Sequence, residues 1–263
     1  ANSMTGLVSI SNNGWLLFGN EIKDTGTTPP INNNHAIYIQ VGSSDVEVGW
    51  NSLHDLRMGH TIQVHTDGNC FTYSNIRIHD NVLSAASVDD SRGINVGNAC
   101  GGSYGSIYNN LLYNLGQDFS AIAIYNGSWK IYNNTLYNIH ATSGMIWINM
   151  LQGNGSATVD AKNNIFYSDG NSPYMDVFGG SMSLFTLSNN LYFNYGNGPA
   201  QDTTAINANP LFVSAGTGNF HLNAGSPAIN TGTSAVSSTV ARDLDGNPRP
   251  IESAYDMGVY EYG

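Results

Sequence analysis

The chain has 263 residues, of which 41% are hydrophobic, so it is long and apolar enough to bury one large core. Only 10% of the residues are charged, and 8 lysines and arginines against 19 aspartates and glutamates give a net charge of −11, which argues against nucleic acid and anionic membranes as partners. No run of ~18 apolar residues is present, so we expect no membrane insertion.

A short motif recurs along the chain, in which alternating apolar residues precede an asparagine and further apolar residues follow it. The spacing between successive motif asparagines is 24 to 31 residues. These residues are Asn20, Asn51, Asn81, Asn110, Asn134, Asn164 and Asn190. Such a period is typical of a stack of similar coils. We expect the amides to form a ladder at a bend, because asparagine tolerates a left-handed backbone and stacked amides hydrogen-bond to one another.

A second strand lies between successive motifs. It occurs as HAIYIQ (35–40), HTIQVH (60–65), RGINVG (92–97), SAIAIY (120–125) and MIWINM (145–150). Alternation of apolar and variable residues is the pattern of a strand with one buried face, and no segment shows sustained helical periodicity. The sequence therefore predicts an all-β fold, a right-handed parallel β-helix of about seven or more coils. We expect coils over residues 1–204 and an irregular capping segment over 205–263, packed on the last coils within the same unit.

The two cysteines, Cys70 and Cys100, are 30 residues apart, which is close to the length of one coil. Adjacent coils would bring them together in a disulfide, which fits an extracellular setting. Two separate buried thiols are the alternative.

The last 55 or so residues contain three phrases that carry a family resemblance, SPAINTG (226–232), DLDGNPRP (243–250) and DMGVYEYG (256–263). This segment resembles the C-terminal segment of secreted bacterial right-handed β-helix repeat proteins. That group includes polysaccharide lyases, mannuronan epimerase-like proteins, glycoside hydrolases and surface proteins. The resemblance implies a secreted or cell-surface monomer that cleaves or modifies a polysaccharide or oligosaccharide along an outer face of the helix. A non-catalytic glycan-binding or adhesion module is the alternative.

Aligning the second strands places polar residues of the first three on one outer face. A lyase or epimerase needs a base, a group that neutralises the substrate carboxylate and an acid for the leaving oxygen. We assign His60 or His65 as the base, Arg92 as the carboxylate partner and Tyr38 as the acid. The residues expected to bind substrate on the same face are His35, Gln63, His65, Asn95, Tyr125 and Trp147.

Acidic residues in the neighbouring turns offer two further roles. Hydrolysis would use a carboxylate pair drawn from Asp67, Asp89 and Asp90, of which we assign Asp90 a catalytic role. Oxygen ligands of this kind also suit calcium, and Asp67 and Asp89 are the proposed ligands. The sequence predicts no other cofactor.

Overall fold

The computed structural model describes residues 5–24, 26–31, 34–65, 71–85, 92–97, 99–115, 119–151 and 157–263. The fold is all-β, and its parallel sheets stack as a β-solenoid, which confirms the predicted fold class. The helical residues of this part of the chain lie in three short 3-10 turns, at Met182–Leu184, Ala215–Thr217 and Ser234–Val236.

Each coil contributes one strand to each of three sheets. Sheet A contains β1 (Thr5–Ile10), β5 (Asn34–Ile39), β9 (His60–Val64), β12 (Arg92–Val96), β15 (Ile122–Ile124), β18 (Ile146–Asn149) and β21 (Met175–Phe178). Sheet B contains β2 (Leu16–Phe18), β6 (Glu47–Gly49), β10 (Ile76–His79), β13 (Tyr104–Tyr108), β16 (Gly127–Tyr132), β19 (Ala157–Lys162) and β22 (Phe185–Ser188). Sheet C contains β3 (Glu21–Lys23), β7 (Ser52–His54), β11 (Val82–Ser84), β14 (Leu111–Tyr113), β17 (Thr135–Ile139), β20 (Ile165–Ser168), β23 (Leu191–Phe193) and β24 (Ile206–Asn207).

Two small pairs complete the strands of the described chain. Strands β4 (Gly26–Ile31) and β8 (Arg57–Met58) pair in parallel, whereas β25 (Phe212–Ser214) and β26 (Asn219–Leu222) pair antiparallel in the C-terminal segment. In the stack itself, five rungs have a neighbour on both sides. The solenoid therefore has about five full turns, somewhat fewer than the seven or more coils predicted.

Inward-facing residues of equivalent positions stack into the core. In sheet A, Ile37 pairs in register with Ile62, and the column continues through Ile94 and Ile122 to Ile146. All five side chains are buried, and each contributes ~1.5–3 kcal/mol by leaving water. The apolar positions of the alternating pattern thus become one continuous core along the axis.

The asparagine ladder is confirmed. The Asn134 side-chain amide donates to Asn164 Oδ1 at 3.0 Å, and its own Oδ1 accepts from the Asn110 amide at 3.1 Å. The same bond repeats from Asn20 to Asn190, whose amide donates to Asp202 Oδ2 at 2.8 Å. The expected backbone reason was wrong, however. The left-handed residue of each bend is the one before the ladder asparagine, as at Asn109 with φ 54° and Asn133 with φ 51°.

The C-terminal segment lies along the flank of the solenoid, over the asparagine bend and sheet C. Phe220 packs against Tyr113 and Tyr137, with ring centroids 5.2 and 5.1 Å apart. Arg249 is buried, pairs with Glu261 at 2.6 Å and donates to Asn109 Oδ1 at 3.1 Å. The segment therefore contacts coils well before the last one.

Candidate functional site

The outer face of sheet A carries the residues that the sequence alignment assigned to one site. Strand pairing places His60 beside Arg92, and Gln63 between Tyr38 and Asn95. The ring centroids of His35 and His60 are 6.0 Å apart, and those of His35 and Tyr38 are 5.5 Å apart. His65 is adjacent as well, since its Nδ1 lies 3.4 Å from the Tyr38 hydroxyl. These predicted site residues therefore lie together.

A break in the alternation explains why His35 and Tyr38 share a face although they are three residues apart. Ala36 and Ile37 both pack in the core, so the strand turns two consecutive side chains inward. A strict period of two would have pointed His35 inward with Ile37. The break lies at the start of β5.

This face is buried, contrary to the expectation that it is exposed. His60 is only 7% exposed, Gln63 4% and Trp147 8%. Phe119 covers part of it, with its ring centroid 5.2 Å from that of His60 and 4.7 Å from Arg92 Cζ. Phe119 belongs to a turn between coils, which the strand alignment did not consider.

The electrostatics of this layer follow from its burial. Burial lowers the pKa of His60 well below its usual value, and the positive charge of Arg92 lowers it further. The imidazole is therefore neutral at physiological pH, and the same shift makes it a weaker base than an exposed histidine. Burial also raises the pKa of the Tyr125 hydroxyl, although hydrogen bonds with Asn95 and Asn149 oppose the shift.

The two aromatic residues predicted to bind sugar do not face solvent. Tyr125 and Trp147 pack edge to face at 5.8 Å, in a buried cluster with Ala123 and Phe119. Three buried polar atoms of this face, Gln63 Oε1, Ser120 Oγ and Trp147 Nε1, have no hydrogen-bond partner within the described ranges. Such atoms are rare in native proteins, and water or a ligand often satisfies them.

The remaining predictions concern residues of which the structure says less. Asp67, Asp89 and Asp90 lie outside the described residues, and so does Cys70. Cys100 is in a disulfide bond. In the described ranges, no group of three or more His, Cys, Asp or Glu side chains is arranged to hold a metal ion.

A second candidate site, which we call the sheet B groove, was not predicted. It is an open groove of about 580 Å³ on the outer face of sheet B. It is lined by Asn75, Arg77, Tyr104, Gly105, Ser106, Tyr108, Ser128, Trp129, Lys130, Thr158, Val159, Asp160, Thr186, Ser238 and Thr239. Nine of these 15 residues carry a hydroxyl or amide group, so the surface is rich in neutral hydrogen-bonding groups.

Strand register builds this groove from outward-facing residues of successive coils. Its central column runs from Arg77 through Ser106 and Lys130 to Asp160 and Thr186. The C-terminal segment supplies Ser238 and Thr239 to the lining. The signal in the sequence is the set of variable positions in the strands that precede each ladder asparagine.

Most charged side chains of this face form ion pairs, but one lysine pairs with no described residue. Arg77 and His79 both hydrogen-bond to Glu47. Burial alone would raise the pKa of the Glu47 carboxyl. The two hydrogen bonds outweigh burial and hold this pKa below its usual value. Asp160 is paired with Lys162. Lys130 is exposed and has no ion pair with any described residue.

The tyrosines of this face stay protonated. Burial raises the pKa of Tyr108, and the nearby carboxylates of Asp80 and Glu47 add to the shift. Burial and the hydrogen bond to Asp160 raise the pKa of Tyr132. Both hydroxyls can therefore donate hydrogen bonds but do not act as bases near neutral pH.

Comparisons with known proteins assign the chain to no family. No family model matches the sequence, and no curated protein matches it. Across the described part of the chain, no helix combines the length and apolarity needed to cross a membrane.

Proposed function

We propose that this chain is an extracellular carbohydrate-active protein that binds a polysaccharide in the sheet B groove. The observation that carries the proposal is an open, elongated surface dense in hydroxyl and amide groups, with Lys130 exposed and unpaired among the described residues. Sugar hydroxyls both donate and accept hydrogen bonds, which matches such a surface. The Cys100 disulfide supports an oxidising, extracellular setting.

The dimensions of the groove suit a chain molecule. Its central column extends over five rungs, from Arg77 to Thr186, and four strand spacings of about 4.8 Å give a length of about 19 Å. The ligand would lie along the solenoid axis and meet one outward side chain per rung. The charged residues of the lining are Arg77, Lys130 and Asp160, so its net charge is close to zero. Such a lining favours a neutral or weakly acidic glycan over a polyanion.

Binding explains this groove better than hydrolysis does. A glycosidase places two carboxyl groups about 5–9.5 Å apart. Glu47 and Asp160 stand four rungs apart in one column, which is about 19 Å. Both carboxylates are also engaged in ion pairs. The groove column therefore lacks a pair of carboxylates at catalytic spacing.

A binding screen with two groove variants tests this proposal. Uronate-containing and neutral polysaccharides are titrated by calorimetry or affinity electrophoresis. Lys130→Met keeps the aliphatic stem but removes the charged donor, and Thr158→Trp fills the groove without changing charge. We expect each variant to weaken binding at least tenfold. For Lys130→Met, the reason is the loss of a charged hydrogen bond of ~1.5–3 kcal/mol. For Thr158→Trp, the reason is that the indole occupies the space of the ligand. Lys23→Met, at another exposed lysine, is the matched control and should bind normally.

Catalysis on sheet A is the second candidate function, and a specific observation favours it. His60 is a neutral imidazole beside Arg92, which is the pairing of a base with a carboxylate partner that a lyase or epimerase needs. Substrate would reach His60 only after Phe119 moved aside, because that ring lies against both residues. The buried polar atoms of this face that have no partner among the described residues would hydrogen-bond such a substrate.

The assay for this candidate follows ultraviolet absorbance, which reports lyase products, together with reducing ends over the same polysaccharides. If product forms, His60→Gln and Arg92→Met should each lower kcat by about 100-fold or more, as loss of acid–base catalysis does. Lys130→Met should mainly raise KM. If no glycan that binds in the groove is converted to product, we conclude that the chain binds glycans without catalysis.

A further inference from the structure

Four large apolar side chains are exposed at the first two coils, at one end of the face that carries the sheet B groove. We name this group the aromatic platform, and its members are Trp15, Leu16, Phe18 and Trp50. Leu16 is 61% exposed and Trp50 49%. Phe18 and Trp50 pack edge to face with centroids 5.1 Å apart. Exposed apolar patches of this kind mark binding sites more often than scattered single residues do.

The platform faces sideways, away from the solenoid axis. In β2, Leu17 packs against the core, whereas its neighbours Leu16 and Phe18 point outward. A further strand added to the edge of β2 would pair with its backbone along the axis. Such a strand would leave the outward faces of Leu16 and Phe18 uncovered, so stacking alone does not account for their exposure.

The backbone of Trp50 is a second, independent observation. Trp50 has φ 54°, in the left-handed region. The equivalent residue before each other ladder asparagine is a type that tolerates this region, Gly19, Asp80, Asn109, Asn133, Asn163 or Asn189. A bulky residue there is an outlier, and strain of this kind is concentrated at functional sites. Trp50 therefore carries a conformational cost that asparagine would avoid.

A row of stacked rings joins the platform to the sheet B groove. Trp50 packs edge to face on His79 at 4.8 Å, and His79 stacks on Tyr108 at 4.7 Å with an interplanar angle of 6°. Gly49 makes room for this row, because a Cβ at that position would lie 2.8 Å from His79 Cε1. Tyr108 in turn lines the groove. The two surfaces are therefore continuous along one face.

We propose that the aromatic platform binds sugar rings of the same polysaccharide chain that occupies the sheet B groove, which makes the inference dependent on the proposed function. The apolar C–H faces of pyranose rings pack on aromatic faces, while their hydroxyls stay at the rim. The platform contains no charged residue, so it would contact the apolar faces of the sugar rings. The groove is polar, so it would hydrogen-bond to the sugar hydroxyls. Seven rungs along this face span about 29 Å, so only long oligosaccharides reach both.

The test is Trp50→Asn, which installs the residue type that four other coils carry at this bend. Binding of uronate-containing and neutral oligosaccharides of graded length is measured by calorimetry. We expect affinity for long oligosaccharides to fall at least tenfold, affinity for short ones that fill only the groove to stay unchanged, and the melting temperature to hold or rise. Phe18→Ser should give the same length-dependent loss. Phe178→Ala, at an exposed aromatic residue of sheet A, should bind all lengths normally.

A fluorescence measurement gives a second readout. Of the four tryptophans, Trp15 and Trp50 are exposed, while Trp129 and Trp147 are buried. Acrylamide therefore quenches mainly the platform, and long oligosaccharides should protect the wild-type protein from quenching.

The outcomes separate the two proposals. If the wild type binds glycans and both platform variants bind every length equally well, the platform inference is overturned and the groove proposal stands. If the wild type binds no glycan in the panel, both fall. If sedimentation shows a wild-type dimer that Trp50→Asn dissociates, a second copy covers the platform and the sugar assignment is overturned.

Discussion

Replacing a central member of the asparagine ladder should destabilise the fold far more than replacing its end. The Asn134 side chain makes five hydrogen bonds, donating to Asn164 Oδ1 and to the carbonyls of Ile107 and Tyr132 and accepting from the Asn110 backbone and side-chain amides. At about 1 kcal/mol net per bond, reduced somewhat because donors are shared, Asn134→Ala should cost about 3–5 kcal/mol.

Asn20 provides the matched comparison, because its half-buried side chain at the end of the ladder makes two hydrogen bonds with described residues. Asn20→Ala should cost about 1 kcal/mol or less. Equilibrium unfolding in urea, followed by circular dichroism, measures both free energies. Equal losses at the two positions, or a loss below about 1 kcal/mol for Asn134→Ala, would refute the view that the ladder holds the coils in register.

Three further predictions concern stability. Burial raises the pKa of Asp256 to about 6, so the folded state binds its proton more tightly than the unfolded state and stability should fall as pH rises from about 4 to about 6. Asp256→Asn should remove this part of the pH dependence in urea titrations at stepped pH, an effect on the order of 3 kcal/mol for a shift of about 2 pKa units. Reduction of the Cys100 disulfide, or Cys100→Ser, should cost about 2–5 kcal/mol, seen as a lower melting temperature with reductant. Arg249→Met should cost about 3–5 kcal/mol because it leaves the buried Glu261 carboxylate uncompensated, and limited proteolysis should then cut the C-terminal segment first. The double variant with Glu261→Leu should recover part of that loss.

The repeat could be predicted from the sequence because it depends on local rules. Alternation at Ile37 and Ile39 identifies one buried face of a strand, and recurrence of the asparagine fixes the coil length. The register of His60 with Arg92 followed from the same alignment. Each of these features needs only the strand geometry and the period, which the chain repeats several times.

The burial of the sheet A face could not be predicted in this way. Alternation along a strand predicts which side chains point away from the core, but not whether a turn from another coil covers those side chains. Phe119, which packs on His60 and Trp147, belongs to such a turn. The sheet B groove was overlooked for a related reason, since it depends on residues such as Thr239 that approach from the C-terminal segment, far away in sequence.

The placement of basic side chains argues that sheet B, rather than sheet A, meets a ligand from solution. Arg249 is enclosed beneath the C-terminal segment with its ionic partner, and Arg92 lies against the Phe119 ring. Neither guanidinium reaches a ligand without breaking those contacts. Arg77 and Lys130 instead line an open groove. In a chain with only 8 basic residues and a net charge of −11, the exposed Lys130, which has no ion pair among the described residues, is available to a ligand. The same face continues to the strained Trp50. Ligand contact along sheet B accounts for both features at once, whereas a purely structural solenoid requires neither.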